Sequence, residues 1–176
     1  MDKNKQSNLR PSDLLLKYFP FQPTKGQADF FKKMDPFFEK KSEDKPVFIL
    51  KGYAGTGKTS LISALVKILP RMEMRSLLLA PTGRAAKVMS NYSGRGAFTI
   101  HKIIYKPKGD PGTMGGGFVL QKNYFKDTVF VVDESSMLAD DGSMSGNLLW
   151  DLIQFVFSGK DNRLLMIGDT AQLPPV

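Results

Sequence analysis

The amino-acid sequence predicts an α/β domain whose parallel sheet is covered by helices on both faces. Three observations predict it. Short apolar runs alternate with helical segments along most of the chain, and strands separated by helices pair in parallel, with the helices on the faces of the sheet. A glycine-rich loop, "GYAGTGKTS" from Gly52, joins the first apolar run to the helix after it. A later run, "TVFVV", ends on two adjacent carboxylates, Asp133 and Glu134.

Each element follows in order. Residues 1–21 read as a polar extension. From Thr24 the stretch "TKGQADFFKKM" carries apolar positions at helical spacing, and Asp35 with Pro36 is expected to interrupt and restart that helix. "KKSEDKP" is a linker, and "VFILK" from Val47 reads as a short buried strand. "TSLISALVKIL" is a helix that stops at Pro70. The pattern then repeats: "SLLLA" is a strand running into "PTGRAAKVMS", and "TVFVVD" is a strand running into "ESSMLADDG". "NLLWDLIQFVF" is helical, and "RLLMIGD" is a fourth strand. "KPKGDPGTMGGG" is rich in Gly and Pro and reads as an excursion with a hairpin tip, placing a small insertion at 106–126.

With 176 residues, 41% of them hydrophobic and 24% charged, the chain is large enough to bury a core. Its apolar runs are far shorter than the roughly 20 residues that a membrane span needs. The amino terminus "MDKNKQSNLRPSD" lacks the apolar stretch of a secretory signal, and there are no cysteines for disulfides or thiolate metal sites. A cytoplasmic protein with no membrane partner is expected. The net charge is +8, but it is unevenly spread: residues 1–46 carry +3, residues 47–126 carry +11 and residues 127–176 carry −6. So basic a middle section suits a polyphosphate partner, either a nucleotide or a nucleic-acid backbone.

"GYAGTGKTS" has the spacing G-x-x-x-x-G-K-[ST] through Gly52, Gly57, Lys58 and Thr59. Glycines let backbone amides turn inward around a phosphate, and the following helix presents its positive end to it. Gly52, Ala54, Gly55, Thr56, Gly57, Lys58, Thr59 and Ser60 are therefore the candidate nucleotide-binding residues. Lys58 is placed to reach the β and γ phosphates of a nucleotide, and the Thr59 hydroxyl to ligate Mg²⁺. A strand ending in Asp133 sets a carboxylate beside the phosphates, where it can hold Mg²⁺ through water, and Glu134 is suited to polarising the attacking water. Adjacent Asp and Glu point to hydrolysis.

The stretches "GYAGTGKTS", "APTGRAAKVM", "TIHKIIY", "VVDESSM" and "GDTAQLPPV", in this order, resemble superfamily 1 DNA helicases of the RecD-like type, found in α subunits of ATP-dependent exodeoxyribonucleases. The resemblance covers residues 22–176. It implies a RecA-like first motor domain that binds ATP at its edge and single-stranded DNA across its top, in a motor that moves 5′ to 3′. It makes Gln27 of "TKGQ" an adenine-reading residue, although Thr24 and Gln27 also fit a capping box, and both uses are open. Pro81, Thr82, Gly83 and Arg84 become DNA-backbone contacts, with a capped helix start as the alternative. Thr99 and His101 of "TIHK" are further DNA candidates, and Thr99 equally fits a helix cap. Asp169 and Gln172 match a motif whose glutamine senses the γ-phosphate. The insertion lies where the family carries an element that splits the duplex; Phe118 or Tyr124 there suits either base stacking or a small hairpin core. Relatives continue into a second RecA-like domain, so the chain reads as the first lobe of a helicase. A nucleotide- and DNA-binding module without helicase activity, or another P-loop ATPase, are the alternative readings.

Overall fold

A computed structural model describes residues 10–40, 42–108, 117–138 and 147–169. Two helices open it, α1 (Pro11–Tyr18) and α2 (Lys25–Glu39). The strand β1 (Val47–Lys51) and the glycine loop lead into α3 (Lys58–Ile68), and β2 (Arg75–Ala80) leads into α4 (Gly83–Ser93). A short β3 (Ala97–Thr99) and α5 (Ile100–Ile104) precede the strands β4 (Tyr105–Pro107) and β5 (Phe118–Leu120). The chain then forms β6 (Thr128–Val132), α6 (Leu148–Ser158) and β7 (Arg163–Gly168). β4 and β5 pair antiparallel, so the expected hairpin is present; its tip lies outside the described residues.

Five strands make one parallel sheet in the order β1-β7-β6-β2-β3. Their side chains alternate with period two and supply two cores. Leu78, Val129, Val131, Leu165 and Ile167 face a core shared with α1, α2 and α3. Leu77, Leu79, Phe130, Val132, Leu164 and Met166 face a second core, completed by Ile100, Ile104, Leu152 and Phe155 from α5 and α6. A sheet buried on both faces explains why its central strands read as continuous apolar runs. The predicted α/β class is the observed one.

Several local expectations change. The stretch expected to be a polar extension carries α1, whose Leu14 and Leu15 are buried, and Phe19 packs edge-on to Phe31 at 5.3 Å. Pro11 stands in its first turn, where a missing amide costs nothing. The second helix is not interrupted at Asp35 and Pro36. Pro36 lies in its last turn, where little helix remains to be broken, and the Asp35 carboxylate accepts from Ser12 N at 2.8 Å and Ser12 Oγ at 2.7 Å, clamping α1 to α2. β1 is not a buried strand either. It is the last strand of the sheet, and Ile49 stays 57% exposed. Within "ESSMLADDG" a 3₁₀ turn covers Ser135–Leu138, and 139–146 lie outside the described residues.

Beyond the hairpin the chain returns to the sheet along α6, and two buried asparagines pin it there. Asn162 Nδ2 donates to Val156 O at 3.0 Å and Phe125 O at 3.1 Å, while its Oδ1 accepts from Thr128 N at 3.2 Å. Asn123 Nδ2 donates to Phe155 O at 2.7 Å. Together they add donors to the carbonyls of Phe155 and Val156 in the last turn of α6, beside Ser158 Oγ and the Gly159 amide.

Candidate functional site

A parallel sheet directs every loop that follows a strand to one edge, its carboxyl edge, where open α/β sheets bind ligands. The glycine loop leaves β1 there, "PTGR" leaves β2, Thr99 ends β3, Asp133 follows β6 and Asp169 follows β7. Gly52 and Asp169, 117 positions apart in sequence, are thereby brought to one edge.

The glycine loop is shaped by its own backbone. Gly55 and Gly57 adopt φ of +77° and +82°, the left-handed region that side chains disfavour. Gly57 is also the N-cap of α3 and offers that helix no side-chain cap, so the amides of its first turn remain for an anion. The Lys58 ammonium donates to Gly52 O at 2.6 Å and Tyr53 O at 2.8 Å, and Thr56 Oγ1 donates to Tyr53 O at 2.8 Å. Gln27 closes the loop from outside: its Nε2 donates to Thr56 O at 3.1 Å while its Oε1 accepts from Thr24 N at 3.0 Å. The capping box is formed, and the same amide rests on the loop.

A Cβ added at Gly57 would sit 2.5 Å from Gln27 Nε2. Gly57→Ala is therefore expected to destabilise the protein by about 1–2 kcal/mol through the left-handed backbone alone, and to push the Gln27 amide off Thr56. Gly26 on α2, with nothing within 4 Å of a built Cβ, is the control. Gly26→Ala should be neutral or slightly stabilising, by up to about 1 kcal/mol. Urea denaturation of the two variants checks this, and equal midpoints would refute the loop argument.

Asp133 lies beyond the end of β6, its amide bonded to Leu79 O at 3.0 Å. Both of its oxygens are held: Oδ1 accepts from Glu134 N at 2.9 Å, and Oδ2 from the Tyr92 hydroxyl at 2.7 Å. Burial, and then the bond to Asp133, push the Tyr92 hydroxyl well above the ordinary tyrosine value, so it stays a donor. Glu134 turns away from the strand at φ +54°, a left-handed conformation that takes its side chain out of the sheet's alternation.

These groups line a cavity of about 380 Å³ whose walls include Ala54, Gly55, Gly57, Lys58, Thr59, Tyr92, Asp133, Glu134 and Asp169. A second cavity of about 310 Å³ adjoins it, walled by Thr82, Arg84, Ala85 and Met137. Val88, Asp133 and Glu134 line both. Most of the expected site residues thus converge. Gly52 and Thr56 shape the loop rather than line the cavity, and Ser60 stands in the first turn of α3. Thr82 caps α4, accepting from Ala85 N at 3.2 Å, with Pro81 before it and Gly83 opening the helix. Thr99 caps α5, accepting from Lys102 N at 3.3 Å. His101 lies away from both cavities, its ring 5.5 Å from that of Tyr105. Gln172 falls outside the described residues. Phe118 and Tyr124 do not form a hairpin core; they are 73% and 77% exposed. Sequence reasoning missed Val88 and Tyr92. Their signal was the spacing of four that puts Arg84, Val88 and Tyr92 on one face of α4.

A phosphate loop, a strand-end carboxylate pair and a parallel sheet with both faces covered are the parts of a P-loop nucleotide-using fold. The profile of an AAA-domain family matches residues 39–176. The chain belongs to that family. This AAA domain is similar to the ATP-dependent RecD2 DNA helicase of Deinococcus radiodurans, 33% identical over 132 residues, covering 73% of this chain and 16% of that protein. It is also similar to the ATP-dependent DNA helicase dda of Enterobacteria phage T4, 31% identical over 159 residues, covering 87% of this chain and 33% of that one. The AAA domain therefore spans a third or less of the length of these two relatives. Its expected resemblance to superfamily 1 helicase motor domains is borne out. Among solved structures, the ATPase domain of a Thermus phage large terminase overlays with a TM-score of 0.46 at 14% identity, over 91% of this chain and 70% of that one. No helix among the described residues is long and apolar enough to cross a membrane.

Proposed function

We propose that this domain binds Mg·ATP and single-stranded DNA and serves, within a longer protein, as the first motor domain of a 5′ to 3′ DNA helicase. The observation that carries this reading is the pair of adjoining cavities: Asp133 and Glu134 belong to both the one beside the glycine loop and the one beside Arg84. A group that acts on ATP and a group that touches a nucleic-acid backbone then share a wall.

The residues fit the cofactor. A cavity of about 380 Å³ lies within the range of nucleotide-sized pockets, and the left-handed glycines keep the loop free of Cβ atoms where phosphates approach. Thr59 and Asp133 offer hard oxygen donors. No cluster of three or more His, Cys, Asp or Glu side chains is found among the described residues, which suits Mg²⁺, an ion held by one or two protein oxygens together with phosphates and water. Mg²⁺, when bound, would neutralise charge on the phosphates. The chain's own residues do the rest. Lys58 exchanges two backbone carbonyls for phosphate oxygens. The α3 amides accept the anion. Glu134, turned out of the strand, orients and deprotonates a water. Gln27, already resting on the loop, extends its amide to the base, and Gln172 reports the γ-phosphate.

On the DNA side, Pro81, Thr82, Gly83 and Arg84 open α4 at the same edge, Thr99 pairs with Ala80 in the neighbouring strand, and His101, away from both cavities on α5, is the outlying candidate. The hairpin strand β4 and its flank carry Lys106 and Lys108, Lys122 lies 5.3 Å over the Tyr124 ring, and the rings of Phe118 and Tyr124 are exposed, which suits base stacking. Binding to single strands should be sequence-tolerant and salt-sensitive. Each phosphate contact contributes about −0.7 to the slope of log K against log salt, so Arg84→Ala should make that slope shallower by about 0.7. Fluorescence anisotropy with an oligonucleotide over a salt series tests it. A slope near zero in the parent protein would remove the DNA reading.

A further inference from the structure

We infer that Tyr92 is a positioning residue for Asp133, holding its carboxylate in the orientation that takes Mg²⁺. The inference rests on the nucleotide-site reading above and adds a residue that no motif of that site contains. Three observations carry it. The Tyr92 hydroxyl donates to Asp133 Oδ2 at 2.7 Å, opposite the Glu134 amide on Oδ1 at 2.9 Å, so the plane of the carboxylate is set from both ends. Tyr92 is itself anchored, because its carbonyl accepts from Ser63 Oγ on α3 at 3.0 Å. Its side chain also lines the cavity beside Lys58 and Thr59. One residue therefore ties the helix that follows the glycine loop to the carboxylate across the cavity. Each Asp133 oxygen accepts one of these bonds and keeps a second lone pair for a metal-bound water. Without the hydroxyl, Oδ2 is free to rotate, and ordering it again falls to the metal.

Tyr105 supplies an internal control. Its hydroxyl donates to Asp151 Oδ2 at 2.5 Å, the same kind of pair on the α6 side of the sheet and away from both cavities.

The experiment titrates Mg²⁺ against a fixed concentration of a fluorescent ADP, for the parent protein, Tyr92→Phe and Tyr105→Phe, with a matched ADP titration in EDTA. Tyr92→Phe should raise the Mg²⁺ concentration for half-saturation roughly tenfold, the low end for losing a partner behind a metal ligand. Its metal-free ADP affinity should stay at the parent value, and Tyr105→Phe should change neither. An unchanged or lower Mg²⁺ requirement in Tyr92→Phe overturns the proposal. So does an equal loss of affinity in EDTA, which would make Tyr92 a support of the pocket's shape only. If the parent protein shows no Mg²⁺-dependent ADP binding, the nucleotide-site reading fails, and this inference with it.

Discussion

Lys58→Ala is expected to weaken ATP binding by about 10- to 100-fold, the worth of charge-assisted hydrogen bonds to one ammonium, while Glu134→Gln leaves binding near the parent value and slows hydrolysis by about 10²- to 10⁴-fold. The two effects separate because the groups act at different moments. Lys58 lies in the first turn of α3 with its ammonium between the carbonyls of Gly52 and Tyr53, inside the loop that would enclose the phosphates. In the proposed function its charge would stabilise bound nucleotide before and during reaction. Glu134 follows the strand-end carboxylate and lines both cavities, where in the proposed reaction its task is to act on a water rather than on a phosphate. Replacing it with the amide keeps the shape and removes the proton acceptor. Equilibrium titration with a fluorescent ATP analogue reads the first effect, and single-turnover phosphate release reads the second. Equal affinity in Lys58→Ala and parent would sink the phosphate-loop assignment. Undiminished phosphate release by Glu134→Gln would move the general base elsewhere.

The largest stability effect is expected at Asn162, far from the chemistry. Its side chain is 1% exposed and makes hydrogen bonds to Phe125, Val156 and Thr128. Asn162→Ala takes this side chain from three buried backbone groups; Val156 O keeps the Gly159 amide at 3.3 Å, so Phe125 O and Thr128 N carry the cost, about 1–3 kcal/mol each where water cannot replace the amide. Partial relaxation reduces the sum, so a total of about 3 kcal/mol is expected, lowering Tm by roughly 6–12 °C in a domain of this size. Circular dichroism melting checks it, with Asn123→Ala alongside. Asn123 shares the Val156 carbonyl with it, so the cost of the double variant should depart from the sum of the two singles. A Tm within 2 °C or so of the parent for Asn162→Ala would mean that water enters and satisfies Phe125 O and Thr128 N.

The central strands were legible because they are buried on both faces: "SLLLA", "TVFVV" and "RLLMIG" are apolar after their first residue, and no polar alternation disguises them. α3 and α6 were legible from their period, and the glycine loop from spacing alone. β3 was not, since three residues carry no period. The length of α2 was misjudged because Pro36 breaks a helix only when enough helix follows it, and the distance to the helix end is not written in the proline. The burial of β1 was misjudged for a related reason. "VFILK" is as apolar as its neighbours, but its place at the margin of the sheet depends on where the other strands lie.

The site divides along the same line. The sequence by itself determined which residues are candidates for the chemistry: Lys58, Thr59, Asp133, Glu134 and Arg84 stand at fixed spacings from a strand end or a helix start, and those spacings are local. Only the tertiary structure decided their company. That the Asp133 carboxylate is shared between the Glu134 amide and the Tyr92 hydroxyl, that Gln27 rests on Thr56, and that two cavities meet at Val88 follow from the order β1-β7-β6-β2-β3. That order brings together segments dozens of residues apart. The physical reason is that backbone geometry and helix periodicity act over a few residues, whereas strand order is set by burying two apolar faces at once, a condition on the whole chain that no short stretch of it states.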